Sequence, residues 1–399
     1  MSQKRVFVTG AGIISALGVG LQETLYSLLN EKSGIEPVAI LETEHSYFPV
    51  GEVKMSNQEM SRILEVGYPI SELRTVLMGI IAGKEAIHTA RLTPEQIKRS
   101  VFINGTTVGG MDKTERHFKS VKEGDISEIT ELQYNDCGVT TDLIADALGK
   151  FKFSTTTSTA CSSAANALIL GANLIKAGIT EIVVAGGSEA LTRFHLNGFN
   201  SLMILDKDNC RPFDKDRTGI NLGEGAAYLV LESVHSAKTR KAKILGELSG
   251  YANTCDAFHQ TASSENGEGA YLAMKKALEM ANLKPEDIDY INAHGTGTPN
   301  NDETELAAMK RIWSETLPRF SSTKSYTGHT TSASGSIEAV ICLLSMLNGF
   351  FPRNLGWKNP IKEGANPVIE SSAKEEIKHI VNNSFGFGGN DSSLIFSKI

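Results

Sequence analysis

Short β-branched apolar runs alternate with helical stretches along the whole chain, and this alternation restricts the fold more than any other feature. The strand candidates are Val6–Thr9, Val101–Asn104, Thr155–Thr159, Ile182–Ala185, Tyr228–Glu232, Ile244–Tyr251, Ile288–Ala293, His379–Asn383 and Ser393–Phe396. Helical patterns intervene, among them Leu21–Leu29, Ser163–Ala177, Ala270–Ala281, Asp302–Trp313 and Gly335–Leu347. The expectation is an α/β protein with helices on both faces of its sheets. Glycines cluster in VTGAG, TVGGM, VAGGSEA and FGFGG, the pattern of tight strand-to-helix turns rather than of flexible linkers.

A chain of 399 residues is long for one core and suits two halves of roughly 150–250 residues each. The polar, Lys/Ser-rich stretch Ser233–Lys243 reads as their joint, giving an N-terminal half 1–242 and a C-terminal half 243–399. The halves look loosely alike. In the first, a strand ends at TACSSA and an Ala/Leu/Ile-rich helix follows; in the second, STKSYTGHTTSASGS opens the helix IEAVICLLSML. Each half thus sets a reactive side chain near a helix N-terminus.

The net charge of −7 comes with no basic stripe, which argues against a nucleic-acid partner. Five cysteines without a CxxC pair speak against a common zinc site or a disulfide framework and fit a reducing compartment. The opening MSQKRVFVTG has no secretory apolar core, and the longest apolar candidate, VICLLSML, is far short of the roughly 18–20 residues of a membrane span. A cytoplasmic protein with no membrane partner and no metal is expected.

Cys161 follows a Thr/Ser-rich strand and precedes a helical pattern. Unpaired N–H groups and the positive end of the helix dipole there would favour thiolate. The small neighbours Ala160, Ser162, Ser163 and Ala164 leave room for a carbonyl. The local pattern fits a buried, inert thiol equally well, and Cys137, Cys210, Cys255 and Cys342 take that bland reading. His294 ends a strand and enters a Gly/Thr-rich turn; His329 lies in another, five residues after Lys324. Lone histidines are mostly structural, as His45, His88, His117, His195, His235 and His379 are read here. Two histidines and one cysteine in three separate glycine-rich turns point instead to chemistry. Acyl transfer to a thiol needs oxyanion donors, and a following carbanion step needs neutral imidazole N–H groups for the enolate oxygen. Lys324 can support such a site by its charge, and Glu338 lies nine residues past His329, on the next helix.

In TACSSA, NAHGTGTP, STKSYTGH and NSFGFGGND, with RPFDKDRTGINLGEGA and the opening VTGAGIISALG, the chain resembles the elongating β-ketoacyl-acyl-carrier-protein synthases (types I and II) of the thiolase superfamily. The resemblance runs over essentially the whole chain. It implies a thiolase-like, five-layered αβαβα fold with two pseudo-duplicated halves, and a homodimer. It implies a 3-oxoacyl-[acyl-carrier-protein] synthase that condenses malonyl thioester, with loss of CO₂, onto an acyl group held on Cys161. The phosphopantetheine arrives on the acyl carrier protein, so no resident cofactor is expected.

Carried over residue by residue, the resemblance makes His294 and His329 the decarboxylation pair, Lys324 the active-site lysine and Glu338 its acidic support. The backbone N–H groups of Cys161 and Phe387 would form the oxyanion hole, and Phe387 would gate the acyl pocket on a loop freed by Gly386, Gly388 and Gly389. Thr296 and Thr298 would meet the pantetheine arm, Val108 and Met111 would fall near the acyl-pocket wall, and Phe385 would be a further substrate-binding residue. Asp256 and His259 would sit on a second moving loop.

Three departures stand out. The stretch EMSRILEVGYPISELRT, basic in family members, has only Arg62 and Arg74 and is broken at Tyr68-Pro69; Met203 replaces a usual arginine; Thr218–Ile220 replaces DGF. The first two fall where family members dock the acidic carrier. They imply a different docking surface and, as the alternative, a specialised polyene or polyketide pathway in which the chain pairs with a chain-length partner.

Other readings fare worse. A dinucleotide fingerprint needs glycine where Ser15 stands, and a serine-hydrolase elbow needs glycine where Ala190 stands. A non-catalytic chain-length subunit would lack the cysteine. A thiolase would carry a second catalytic cysteine near the C-terminus, yet the last is Cys342, and a starter-type enzyme replaces one histidine with asparagine.

Overall fold

The computed structural model describes residues 4–314, 316–362, 365–370 and 375–399. Its strands are β1 (Val6–Ser15), β2 (Gly18–Val19), β3 (Val101–Gly105), β4 (Phe153–Thr157), β5 (Ile182–Glu189), β6 (Gly225–Ser233), β7 (Gly246–Cys255), β8 (Tyr290–Asn292), β9 (Arg319–Ser321), β10 (His379–Gly386) and β11 (Asn390–Ser397). They lie in the order β4-β3-β5-β6-β1-β7-β11-β10-β8-β9, with β2 folded back on β1.

β1 and β7 share only two register pairs, Phe7 with Glu247 and Val8 with Gly246, so two five-stranded sheets meet at a narrow seam. The sheets repeat one plan. In the first, β3 runs parallel to β4 and β5, β5 antiparallel to β6, and β6 antiparallel to β1. In the second, β8 runs parallel to β9 and β10, β10 antiparallel to β11, and β11 antiparallel to β7. This is the internal duplication that TACSSA and STKSYTGH hinted at.

Helices Ser163–Lys176 and Ser334–Asn348 lie between the two sheets, and their apolar residues join both inner faces in one core. Helix Arg74–Ala90 covers the outer face of the first sheet; Glu268–Ala281 and Pro299–Trp313 cover that of the second. The result is five layers, αβαβα. Ser334–Asn348 is buried from Ser334 through Met346, its polar Ser334, Ser336, Glu338 and Ser345 included. The two central helices approach closely at small residues: a Cβ on Gly335 would lie 2.7 Å from the Ala165 nitrogen. That contact brings both helix N-termini to one place.

Several boundaries differ from the sequence reading. β1 continues to Ser15 because all ten of its residues are buried, leaving no polar alternation to mark its end. β4 stops at Thr157, before Thr159, because the backbone then turns into the Cys161 loop. Arg319–Ser321 and the 17-residue helix Arg74–Ala90 were not among the sequence candidates. Among the described residues no helix is long and apolar enough to cross a membrane.

Candidate active site

The turn after β4 presents Cys161 at the N-terminal end of the first central helix. Ala160 adopts φ +51°, a left-handed conformation that a non-glycine residue holds only when its surroundings enforce it. Ser163 Oγ donates to the Ala160 carbonyl at 2.6 Å and accepts from the Thr159 N–H at 2.9 Å. Asn166 Nδ2 donates to Thr159 Oγ1 and to Asn390 Oδ1, at 2.9 and 2.8 Å. From the far side, β10 ends against the turn. A Cβ on Gly386 would stand 3.0 Å from the Thr159 carbonyl oxygen, so any side chain there would press on the turn.

His329 reaches the same point from the second half. Its N–H donates to the Asn221 carbonyl at 2.7 Å, which pins the backbone. Its Nε2 lies 3.0 Å from Cys161 Sγ and its Nδ1 2.9 Å from Ser334 Oγ. His294 stands edge-on to it, ring centroids 5.4 Å apart. The turn that carries His294 is fixed by two carboxylates from the helix that follows it. Glu305 accepts from the His294 and Gly295 N–H groups, each at 2.8 Å, and Asp302 accepts from the Thr296 and Gly297 N–H groups at 3.0 and 3.1 Å.

Lys324 is fully buried. Its Nζ donates to Glu338 at 2.5 Å and to the His294 carbonyl at 2.6 Å, and lies 3.2 Å from His294 Nδ1. An ammonium can only donate, so Nδ1 of His294 must be the bare nitrogen and Nε2 carries the proton. Burial, the Lys324 charge and the neighbouring His329 hold His294 well below the usual imidazole range. Burial, Lys324 and His195 do the same for His329. Both rings are therefore neutral. Burial pushes the Glu338 carboxyl up to about 7, against the pull of Lys324.

The thiol departs from the sequence reading. Burial pushes Cys161 up to about 11, while Lys324 and the N–H groups of Phe387 and Cys161 itself pull the other way. The resting nucleophile is a thiol, not the thiolate that its helix N-terminus alone would favour. It still sits where the Phe387 and Cys161 N–H groups converge, the place for an oxyanion.

A cavity of about 360 Å³ joins these groups, lined by Cys161, His294, His329, Thr296, Thr298, Phe385 and Phe387. Phe387 stacks on Phe199, centroids 5.8 Å apart and planes 20° from parallel. The loop Phe387–Gly389 is tied to residues 255–263: Gly388 N–H donates to the Gln260 carbonyl at 2.8 Å, and Asp256 N–H to the Gly389 carbonyl at 2.9 Å. Asp256 and His259, expected among the substrate-binding residues, do not line the cavity. Asp256 instead anchors its own loop through Ser264 and Gly269, and His259 caps the Thr261 and Ala262 N–H groups. Val108 and Met111, expected near the acyl wall, do not line the cavity either. The chain turns at Gly109, φ +55°, and Met111 faces a separate groove with Phe118 and Phe194.

Sequence reasoning missed Asp302, Glu305, Ser334, Phe199 and Asn390. The first two had a signal: acidic residues three apart at the start of the helix after HGTGT, placed to bind that turn's N–H groups. The ligand-type atoms of Cys161, His294 and His329 lie within 4.8 Å of one another, but the tautomer that Lys324 imposes leaves His294 Nε2 no lone pair for a metal ion.

Residues 3–237 match the family description "Beta-ketoacyl synthase, N-terminal domain" and residues 245–358 match "Beta-ketoacyl synthase, C-terminal domain". The chain belongs to the β-ketoacyl synthase family. It is an acyl-transferring condensing enzyme with the thiolase-like fold of that family. Over 413 residues it is 34% identical to "3-oxoacyl-[acyl-carrier-protein] synthase 2" of Synechocystis sp., covering 100% of this chain and 99% of that protein. Two solved structures are similar over 100% of both chains. One is "The ishigamide ketosynthase/chain length factor", 31% identical with a TM-score of 0.93. The other, 26% identical with a TM-score of 0.87, is a type II PKS acyl-carrier protein in complex with its ketosynthase bound to the hexaketide.

Proposed function

We propose that the protein is a 3-oxoacyl-[acyl-carrier-protein] synthase of fatty-acid elongation, in which Cys161 holds the growing acyl chain. The observation that carries this reading is the meeting of one buried thiol and two neutral imidazoles in a single cavity. In the first half-reaction, His329 Nε2 takes the Cys161 proton as sulfur attacks the carrier thioester. The Phe387 and Cys161 N–H groups hold the oxyanion. The carbon–sulfur bond to the carrier's pantetheine breaks, and its thiolate takes the proton back from His329.

A malonyl thioester then enters past Thr296 and Thr298. As CO₂ leaves, its electron pair passes into an enolate whose oxygen rests on the imidazole N–H groups. The enolate carbon attacks the Cys161 thioester, and the expelled sulfur recovers a proton from solvent. His294, held as the Nε2–H tautomer by Lys324, is a fixed donor for this step. Glu338 keeps the Lys324 charge compensated, and Phe387 gates the acyl cavity against Phe199.

The partner is an acyl carrier protein, loaded with acyl or malonyl groups, which supplies the only prosthetic arm the reaction needs. A cytoplasmic homodimer completes the reading, with halves 1–242 and 243–399 as its folding units. The edge strand β4 is half-exposed and leads directly into the Cys161 turn, and the earlier segment carries the exposed apolar residues Phe118, Ile126 and Ile129; together they are a surface for a second copy.

Two observations favour a specialised pathway with a chain-length partner. Met203 is 89% exposed where a docking arginine was expected, and Arg74 is buried against Glu224 at 2.6 Å rather than free for a carrier. The test of the chemistry is Cys161→Ala. Condensation should vanish while malonyl-thioester decarboxylation persists; a variant that still elongates acyl chains would remove Cys161 from its role.

A further inference from the structure

His329 is asked to do two opposite things. To accept the Cys161 proton it needs a lone pair on Nε2, which puts its own hydrogen on Nδ1. To hold the enolate oxygen it needs the hydrogen on Nε2. His294 has no such freedom, because the Lys324 ammonium facing its Nδ1 can only donate.

The partner of His329 Nδ1 is different in kind. Ser334 Oγ lies 2.9 Å from it, and Thr330 Oγ1 lies 3.2 Å from Ser334 Oγ. All three residues are buried, Ser334 at 1% exposure. A hydroxyl both donates and accepts, so Ser334 can satisfy either ring. With Nδ1–H, Ser334 accepts from the ring and donates to Thr330. With bare Nδ1, Ser334 donates to the ring and accepts from Thr330. Both arrangements keep the Nδ1–Ser334 and the Ser334–Thr330 hydrogen bonds, so neither costs the loss of one.

We infer that Ser334 is a positioning residue that lets His329 change tautomer between the two half-reactions. The ring rests as Nδ1–H beside the Cys161 thiol. After acylation it exchanges to Nε2–H through solvent while the cavity is open between carriers. One proton leaves Nδ1 and one arrives at Nε2, so none is consumed. The inference rests on the two-step reading above, since an enzyme that only hydrolysed thioesters would need no second tautomer.

The test is ¹⁵N NMR of the full-length protein with labelled histidine, the His329 signals being identified by their loss in His329→Asn. Spectra are taken at rest and after acylation of Cys161 by a short acyl-N-acetylcysteamine thioester. The resting wild type should show Nδ1–H and the acyl-enzyme Nε2–H. Ser334→Ala should lose the switch and slow both Cys161 acylation and malonyl-thioester decarboxylation by about tenfold, the scale of one hydrogen bond to a reacting group. Ser334→Thr, which keeps the hydroxyl, should restore both. An unchanged His329 tautomer on acylation, or Ser334→Ala rates within about twofold of wild type, where no hydrogen bond of that scale has been lost, would overturn the inference. Failure of the wild type to acylate at Cys161 would instead count against the two-step reading itself.

Discussion

At Cys161 two effects oppose each other. The helix N-terminus, Lys324 and two backbone N–H groups favour the thiolate, but burial outweighs them and pushes the thiol up to about 11. A group with so high a value loses its proton in free solution only at alkaline pH. Alkylation of Cys161 by iodoacetamide should therefore rise about tenfold per pH unit from pH 7 to 9 without levelling. A plateau below pH 8 would mean a preformed thiolate–imidazolium pair. Cys161, His294, His329 and Lys324 were legible in sequence because each lies in a glycine- or Thr/Ser-rich turn beside an apolar element. Ser334, Asp302 and Glu305 were not, since their roles depend on which turn they face. The protonation state of Cys161 was not legible either, because depth of burial is a property of five packed layers and not of a hexapeptide.

Among the elements, the two central helices matter most, since their N-termini converge on the site through small residues such as Gly335 and Ala165. β10 contributes through Gly386, whose missing side chain lets the GFGG loop lie against the Cys161 turn. Gly386→Ala places a methyl 3.0 Å from the Thr159 carbonyl and 3.3 Å from the Cys161 nitrogen. Such overpacking costs about 1–3 kcal/mol, and a 1 Å shift of the nucleophile can cost about 10²-fold in rate. Condensation should fall by about tenfold to a hundredfold, read as kcat/KM, with a drop of a few degrees in Tm. Unchanged kinetics would show that the loop does not set the Cys161 turn. Strands with β-branched runs were readable, whereas β9 (Arg319–Ser321) was not: three residues with no β-branched side chain carry no pattern, and pairing with β8 alone defines it. Val108 and Met111 do not line the cavity of the single chain, and Met111 borders a separate groove.

For the whole molecule, the repeated strand plan places one reactive turn per half at a shared boundary, so neither half holds a complete site. The cysteine comes from the first and both histidines from the second. The unpaired edge of β4 next to Cys161 suits a second copy, and light scattering should give twice the single-chain mass. Substitution of Thr156, the fourth of the five residues of that edge, by proline removes a donor and a compatible backbone and should shift the mass toward one chain; a wild-type monomer would remove the dimer from the account. The most direct measurement of the central claim is intact and peptide mass spectrometry after incubation with acyl-loaded carrier protein. One acyl group per chain, on Cys161, is the expected result. Acylation at another residue, or no adduct with carriers of several chain lengths, would contradict it.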